Sequence, residues 1–151
     1  MTPDFQNAAV IMIDMQGGFI DADSSLCVAG AEASIPACAR VLEAARAGDV
    51  PIYHVRREYA ADGSDVERVR KEIWLAGGKP LCAEGEHPES LEPPAELVAL
   101  PGEEVIIKPR FSAFFATDLH ERLQKAGIDT VILIGTTTPN CIRSTCYDAL
   151  S

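Results

Sequence analysis

The sequence predicts an α/β fold with a mainly parallel sheet. Three observations carry that prediction. Short, continuous apolar runs recur along the chain, segments of helical period separate them, and Gly or Pro punctuates most of the joins. Continuous apolar runs suit parallel strands covered on both faces. Their alternation with helices describes crossover units, which are right-handed.

The first strand is residues 8–13, an unbroken apolar run that ends in Asp14. Residues 34–48 read as a helix, because Ile35, Cys38, Val41, Leu42 and Ala45 recur at helical spacing. Ser34 is its expected N-cap, Pro36 sits in its first turn, and Gly48 is its stop. Residues 51–55 form the second strand. The segment 56–102 is long, with a helix expected over 65–75 and a break at Gly77-Gly78. Its part 84–94 is acidic and proline-rich and reads as an ordered surface loop. So long a connection inside a compact domain is more often functional than idle. Residues 103–108 are the third strand. Residues 117–126 are a helix, capped by Thr117 and ended by Gly127. The fourth strand is 130–135. From Asn140 the chain reads as helical to its end, with Ile142 and Cys146 on one side. No repeat and no heptad run is present.

Composition narrows the function classes. A length of 151 residues fits a single domain over 1–151, and 47% hydrophobic residues supply a core. A formal net charge of −10 argues against a general nucleic-acid binder, which needs clustered Lys and Arg. No apolar run approaches the roughly 20 residues of a membrane span, and no basic segment precedes the first strand. The expectation is a cytoplasmic protein with neither nucleic acid nor membrane as partner. The five cysteines, Cys27, Cys38, Cys82, Cys141 and Cys146, are an odd and scattered set. They make no disulfide framework and show no zinc-ligand spacing.

Parallel sheets bind ligands at the carboxyl ends of their strands. Three reactive residues fall there: Asp14 after strand one, Lys108 at the end of strand three, and Cys141 after strand four. Cys141 lies at or near the start of a helix, where unpaired N–H groups favour thiolate and can hold an oxyanion. The alternative for Cys141 is packing under the sheet. Asp14 reads either as a loop anchor or as a partly desolvated base. Lys108 reads either as a solvated strand end or as a cation that stabilises developing charge. Together the three supply a nucleophile, a proton acceptor and a cation.

These residues sit in three ordered motifs. The first is Val10-Ile-Met-Ile-Asp-Met-Gln16. The second is Ile106-Ile-Lys-Pro-Arg-Phe-Ser-Ala-Phe114 followed by Thr117-Asp118-Leu119. The third is Gly135-Thr-Thr-Thr-Pro-Asn-Cys-Ile-Arg-Ser-Thr145 followed by Asp148-Ala149. Gly85, Glu92-Pro93 and the Leu100-Pro-Gly102 turn add to the pattern. Over nearly its whole length the chain resembles the isochorismatase-like cysteine hydrolase superfamily. The resemblance implies a Rossmann-like three-layer sandwich and a triad of Cys141 as nucleophile, Asp14 as general base and later acid, and Lys108 as charge-orienting partner. It also implies a non-proline cis peptide at Thr136–Thr137, which aims the Thr137 N–H, with that of Cys141, at the oxyanion.

The activity implied is that of the amidohydrolase branch, similar to N-carbamoylsarcosine and ureidoacrylate amidohydrolases. It is cleavage of a small amide or carbamoyl C–N bond through a thioester. Two alternatives stay open. One is a vinyl-ether hydrolase of the isochorismatase type that uses Asp14 without covalent catalysis, although such enzymes usually lack the cysteine. The other is a catalytically inactive binding or assembly module. Nicotinamidases of the family carry an Asp-x-His metal motif after strand two, which Tyr53-His-Val-Arg-Arg-Glu-Tyr59 lacks. No metal and no cofactor is expected, and His54 is expected to pack or cap near the site. Phe19, Trp74, Phe111, Phe114 and Thr136 are candidate pocket residues beside a core-packing reading. Arg110, with Arg56 and Arg57, is a candidate for a substrate carboxylate, beside the reading of a solvated charge. The resemblance further implies homo-oligomers. Family members continue with at least one more strand and helix, so the chain is expected to be truncated at its C-terminus, with strand four exposed.

Overall fold

The strand Ala8–Ile13 (β1) is buried along its whole length, and the fold is arranged around it. The structure is a computed structural model, and it describes residues 5–151. Only a strand covered on both faces can carry six apolar residues in a row. At one edge β1 pairs in parallel with Ile52–Arg57 (β2). On its other side it pairs in parallel with Thr130–Gly135 (β4). Glu104–Lys108 (β3) pairs in parallel outside β2. The strand order is therefore β3-β2-β1-β4, and every pairing is parallel.

Side-chain alternation splits β1 between two apolar layers. Ile11 and Ile13 join Tyr53, Val55 and Ile106 and pack against Leu119 and Leu123. Those two leucines belong to the helix Leu119–Lys125, and Ile142 packs on the same side. Val10 and Met12 join Ile52 and pack against Cys38, Leu42 and Ala45 of the helix Ile35–Ala47. Helices on both faces of one parallel sheet make three layers, as expected. Burying a side chain such as Leu42 or Ile13 completely contributes about 1.5–3 kcal/mol.

In chain order the helices are Gly17–Ile20 (α1), Ile35–Ala47 (α2), Lys71–Ala76 (α3), Leu119–Lys125 (α4) and Arg143–Leu150 (α5). Several expected boundaries need correction. α3 starts at Lys71 rather than residue 65, because the Asp65 carboxylate accepts the Ala60 N–H at 2.9 Å and closes a turn instead. Ser34 does not cap α2. A 3₁₀ turn, Glu32–Ser34, leads into the helix, and the Ser34 hydroxyl donates to the Ala31 carbonyl. Within the acidic loop lies a further 3₁₀ turn, Pro88–Leu91. The last helix is entered through a π-helical turn, Thr138–Ile142. Ile142 is half-buried but Cys146 is exposed, so the two do not share a buried side.

The long connection carries its own apolar core. Phe19, Tyr59, Val66, Trp74, Leu81 and Cys82 pack together, and all but Phe19 come from the segment 56–102. This explains how a stretch with little regular structure is held in place over the carboxyl ends of the sheet. Among the described residues no helix is long and apolar enough to cross a membrane.

Candidate active site

At the end of β1 the chain turns sharply. Asp14 takes φ +54°, a left-handed conformation that Asp tolerates better than most residues, and its N–H donates to the Val55 carbonyl at 2.9 Å. Its carboxylate Oδ2 lies 2.8 Å from Lys108 Nζ. Lys108 is the last residue of β3, and its ammonium also donates to the Arg110 carbonyl at 3.0 Å. The same nitrogen stands 3.6 Å from Cys141 Sγ. Asp14 and Lys108 are each 1% exposed and Cys141 is 2% exposed, so the three groups meet away from water. An ammonium and a carboxylate tolerate such burial only as a pair. Asp14 Oδ1 makes no well-aligned hydrogen bond, although the carboxylate acts on the thiol beside it.

The electrostatics correct one expectation. Burial pushes the Cys141 thiol up to about 12, and the negative charge of Asp14 pushes the same way. Lys108 and Arg70 oppose the rise without overcoming it. The resting sulfur is therefore a thiol, not the thiolate expected at a helix start. Cys141 sits inside a five-residue π turn, and the loss of water is the largest influence on its thiol.

Backbone geometry brings the sulfur to the acid. Gly135 has φ +107°, and a Cβ there would collide with the Ile13 carbonyl oxygen. That oxygen instead accepts the Thr136 N–H at 3.0 Å, locking the end of β4 onto the end of β1. The next peptide, Thr136–Thr137, is cis. Beyond it, the buried Thr145 hydroxyl donates to the Cys141 carbonyl at 2.7 Å and accepts the Ala113 N–H at 3.0 Å. The turn that bears Cys141 is thus tied to the chain that follows Lys108. Gln16, two residues after the acid, is buried and clasps three backbone groups. Its amide donates to the carbonyls of Arg57 (2.9 Å) and Leu91 (3.0 Å), and its oxygen accepts the Arg57 N–H (2.7 Å).

The candidate pocket residues divide. Thr136 is buried beside the triad. Phe19 and Phe111 flank the guanidinium of Arg70, whose carbon lies 5.7 Å and 5.0 Å from the two ring centres. Trp74 does not fit the expectation of a substrate contact. It is fully buried, its indole N–H donates to the Pro80 carbonyl at 2.8 Å, and Tyr59 packs edge-on against it. Phe114 packs against the core below α4. Arg110 is exposed and donates to the carbonyls of Asp65 and Pro109. Arg56 lies 3.7 Å from Glu92, and Arg57 is buried against Glu67 and over the Tyr59 ring. His54 is not near the triad. Its Nε2 lies 2.6 Å from Glu103, which precedes β3 at the opposite end of the sheet.

Arg70, whose charge acts on Cys141, is a residue that sequence reasoning missed. Its one available signal was the basic run Arg68-Val-Arg-Lys71 inside an acidic chain. A separate cleft of about 530 Å³, lined by Asp21, Asp23, Glu32, His87 and Glu89, touches none of the triad residues. Among the described residues, no group of three His, Cys, Asp or Glu side chains is placed to hold a metal ion.

A parallel α/β sandwich with a buried acid, lysine and thiol at the carboxyl ends of its strands describes a thiol-centred site on a Rossmann-like scaffold. The chain belongs to the isochorismatase family: residues 8–151 match the family model of the Isochorismatase domain. It is 36% identical to a probable inactive nicotinamidase of Arabidopsis thaliana, over 100% of this chain and 76% of that protein. It is 34% identical to the maleamate amidohydrolase of Pseudomonas putida, over 94% of this chain and 65% of that protein. The crystal structure of an isochorismatase family protein from Desulfovibrio vulgaris superposes with a TM-score of 0.88 at 40% identity. That match covers 95% of this chain and 74% of the other. The family and the three-layer fold read from the sequence are thereby shown, and a hydrolase acting on C–N bonds agrees with both.

Proposed function

We propose that the chain is a cysteine amidohydrolase that cleaves a small amide or carbamoyl C–N bond through a thioester. One observation carries the reading: a single ammonium, Lys108 Nζ, lies 2.8 Å from the Asp14 carboxylate and 3.6 Å from Cys141 Sγ, all of them buried. A thiol held near 12 needs a base at hand, and Asp14 is the acceptor in contact with the group.

Asp14 takes the Sγ proton as the sulfur attacks the carbonyl carbon. Lys108 offsets the negative charge that passes through the site. The carbonyl oxygen becomes an oxyanion, held by the N–H groups of Thr137 and Cys141. The C–N bond then breaks, Asp14 returns its proton to the leaving nitrogen, and ammonia or an amine departs. Water attacks the thioester and gives a proton to Asp14. The C–S bond breaks, the carboxylic or carbamic acid leaves, and the sulfur recovers its proton. Amidohydrolases among the relatives support the bond type. A relative named as probably inactive favours a second reading, an idle module that keeps the fold.

An ammonia-release screen over small carbamoyl acids, ureides and primary amides separates the two. Turnover is expected for the unmodified chain, with a loss of at least about 10³-fold in Cys141→Ala. Undiminished turnover in that variant would remove the nucleophile role. Silence across the whole panel favours the idle module.

A further inference from the structure

We propose that Thr145 is a positioning residue: its hydroxyl holds the Cys141 sulfur in place against the Lys108 ammonium. The inference rests on the amidohydrolase reading above and adds to it a residue that touches none of the reacting atoms. It starts from how the turn that bears Cys141 is suspended. On the side of the acid the turn is fixed to the sheet, where the Thr136 N–H donates to the Ile13 carbonyl at 3.0 Å. Within the turn the Thr137 carbonyl accepts the N–H groups of Asn140 and Ile142, and these bonds shape the turn without placing it. Placement toward the lysine needs a second tie.

Thr145 is that tie. It lies in α5, about one helical turn past Cys141, and is 0% exposed. A threonine hydroxyl inside a helix can donate to the carbonyl four residues back, and Thr145 does so to Cys141 at 2.7 Å. The same oxygen also accepts the Ala113 N–H at 3.0 Å, from a different part of the chain. Apart from Lys108 Nζ on Cys141 Sγ, this is the one hydrogen bond among the described residues that joins the chain after β3 to the Cys141 turn or to α5.

The far end of that link reaches the ammonium. Between β3 and α4 the chain forms neither helix nor strand, and its internal bonds are local. Ser112 Oγ accepts the Phe114 N–H at 3.2 Å, and the Thr117 hydroxyl donates to the Ala113 carbonyl at 2.6 Å. The same segment supplies the Arg110 carbonyl that accepts Lys108 Nζ at 3.0 Å. One hydroxyl therefore connects the backbone that bears the sulfur with the segment that orients the ammonium 3.6 Å away. Ala113 is also 0% exposed, so water does not replace the hydroxyl as acceptor for its N–H. Without the hydroxyl the segment shifts to satisfy that group, and a misplacement of about 1 Å at reacting groups can cost about 10²-fold in rate. A sulfur that drifts from Lys108 also loses the positive charge that favours its thiolate.

The test pairs Thr145→Val, which keeps the shape and removes the hydroxyl, with Thr145→Ser, which keeps the hydroxyl. Ammonia release is followed on the amide that the screen above finds to be turned over fastest. In Thr145→Val, kcat is expected to fall by about 10- to 100-fold while KM stays within about threefold. Thr145→Ser is expected to restore kcat to within about threefold of the unmodified chain. Labelling of Cys141 by iodoacetamide between pH 7 and 10 reads the same contact without turnover. It is followed by peptide mass spectrometry, so that the exposed Cys27 and Cys146 do not contribute. Labelling is expected to be about 10-fold slower in Thr145→Val at each pH, because the sulfur has lost the charge of Lys108, and to recover in Thr145→Ser. Circular dichroism checks that each variant is folded. An unchanged kcat in Thr145→Val overturns the inference, as does faster labelling there, the mark of a turn that has only opened to water. A Thr145→Ser protein that loses more than about 10-fold in kcat overturns it by itself, even where Thr145→Val does not fold. If the unmodified chain cleaves no amide, the amidohydrolase reading fails and the labelling rates alone decide: slower in Thr145→Val with recovery in Thr145→Ser upholds the positioning role, and equal rates end it.

Discussion

Two charge clusters sit at opposite ends of the same sheet, one half-buried and one fully buried, and they are built differently. At the amino end, Glu103 receives Arg46 Nε at 2.6 Å, Arg46 Nη2 at 3.1 Å, His54 Nε2 at 2.6 Å and the Leu100 N–H at 3.0 Å. Burial alone would raise its carboxyl, but these partners outweigh burial and hold it at about 2. At the carboxyl end, Asp14 has one close cation and an oxygen without a well-aligned partner, beside a thiol held at about 12. The first cluster spends its hydrogen bonds on holding β2, β3 and α2 together. The second keeps acceptor capacity in reserve beside the Cys141 thiol. Buried polar groups are normally satisfied; the shortfall at Asp14 falls on a carboxylate beside a thiol, whereas at the other end it falls on His54 Nδ1.

The hardest test of that contrast is Asp14→Asn. It leaves Lys108 buried without a countercharge, and the cost is expected to be about 3–5 kcal/mol in urea unfolding, together with loss of ammonia release. A cost below about 1 kcal/mol would show that the pair is not desolvated as described. Glu103→Gln is expected to act in the middle range. It removes charge-assisted bonds worth about 1.5–3 kcal/mol and leaves turnover by the distant triad within about threefold.

Acidity sharpens the same point. Glu103 has a depressed carboxyl in the folded state, so its contribution is fully present above the unfolded carboxyl value of roughly 4.3 and is lost as pH falls toward 2. Burial lowers the His54 pKa too, so protonation below its ordinary value of about 6.5 also favours the unfolded chain. Unfolding free energy measured from pH 7 downward should decline through both windows, and Glu103→Gln should flatten the lower one. Cys146→Ser should do least. That thiol is exposed, so stability should stay within about 0.5 kcal/mol and activity should be unchanged, against total dependence on Cys141.

Legibility in the sequence followed the same division. The strands could be read because each is an apolar run bounded by turn residues, and β1 and β4 begin and end where the pattern does. Asp14, Lys108 and Cys141 could be read because strand ends converge in a parallel sheet. The segment 56–102 could not, because its conformation depends on a private core and on turns made by side chains such as Asp65. Trp74 and Phe19 look alike in sequence and share that core, yet only Phe19 of the two also lies under Arg70. α1 escaped notice because two of its four residues are glycine, the poorest helix former after proline.

Gly135 sets a limit on what evolution can do with this site. Any larger residue would wedge β4 away from Ile13, and with it the turn that bears the sulfur would drift from the acid. The reach from the Asp14 carboxylate to the Cys141 sulfur is gauged by one missing methyl, a spacer the chain provides by leaving it out.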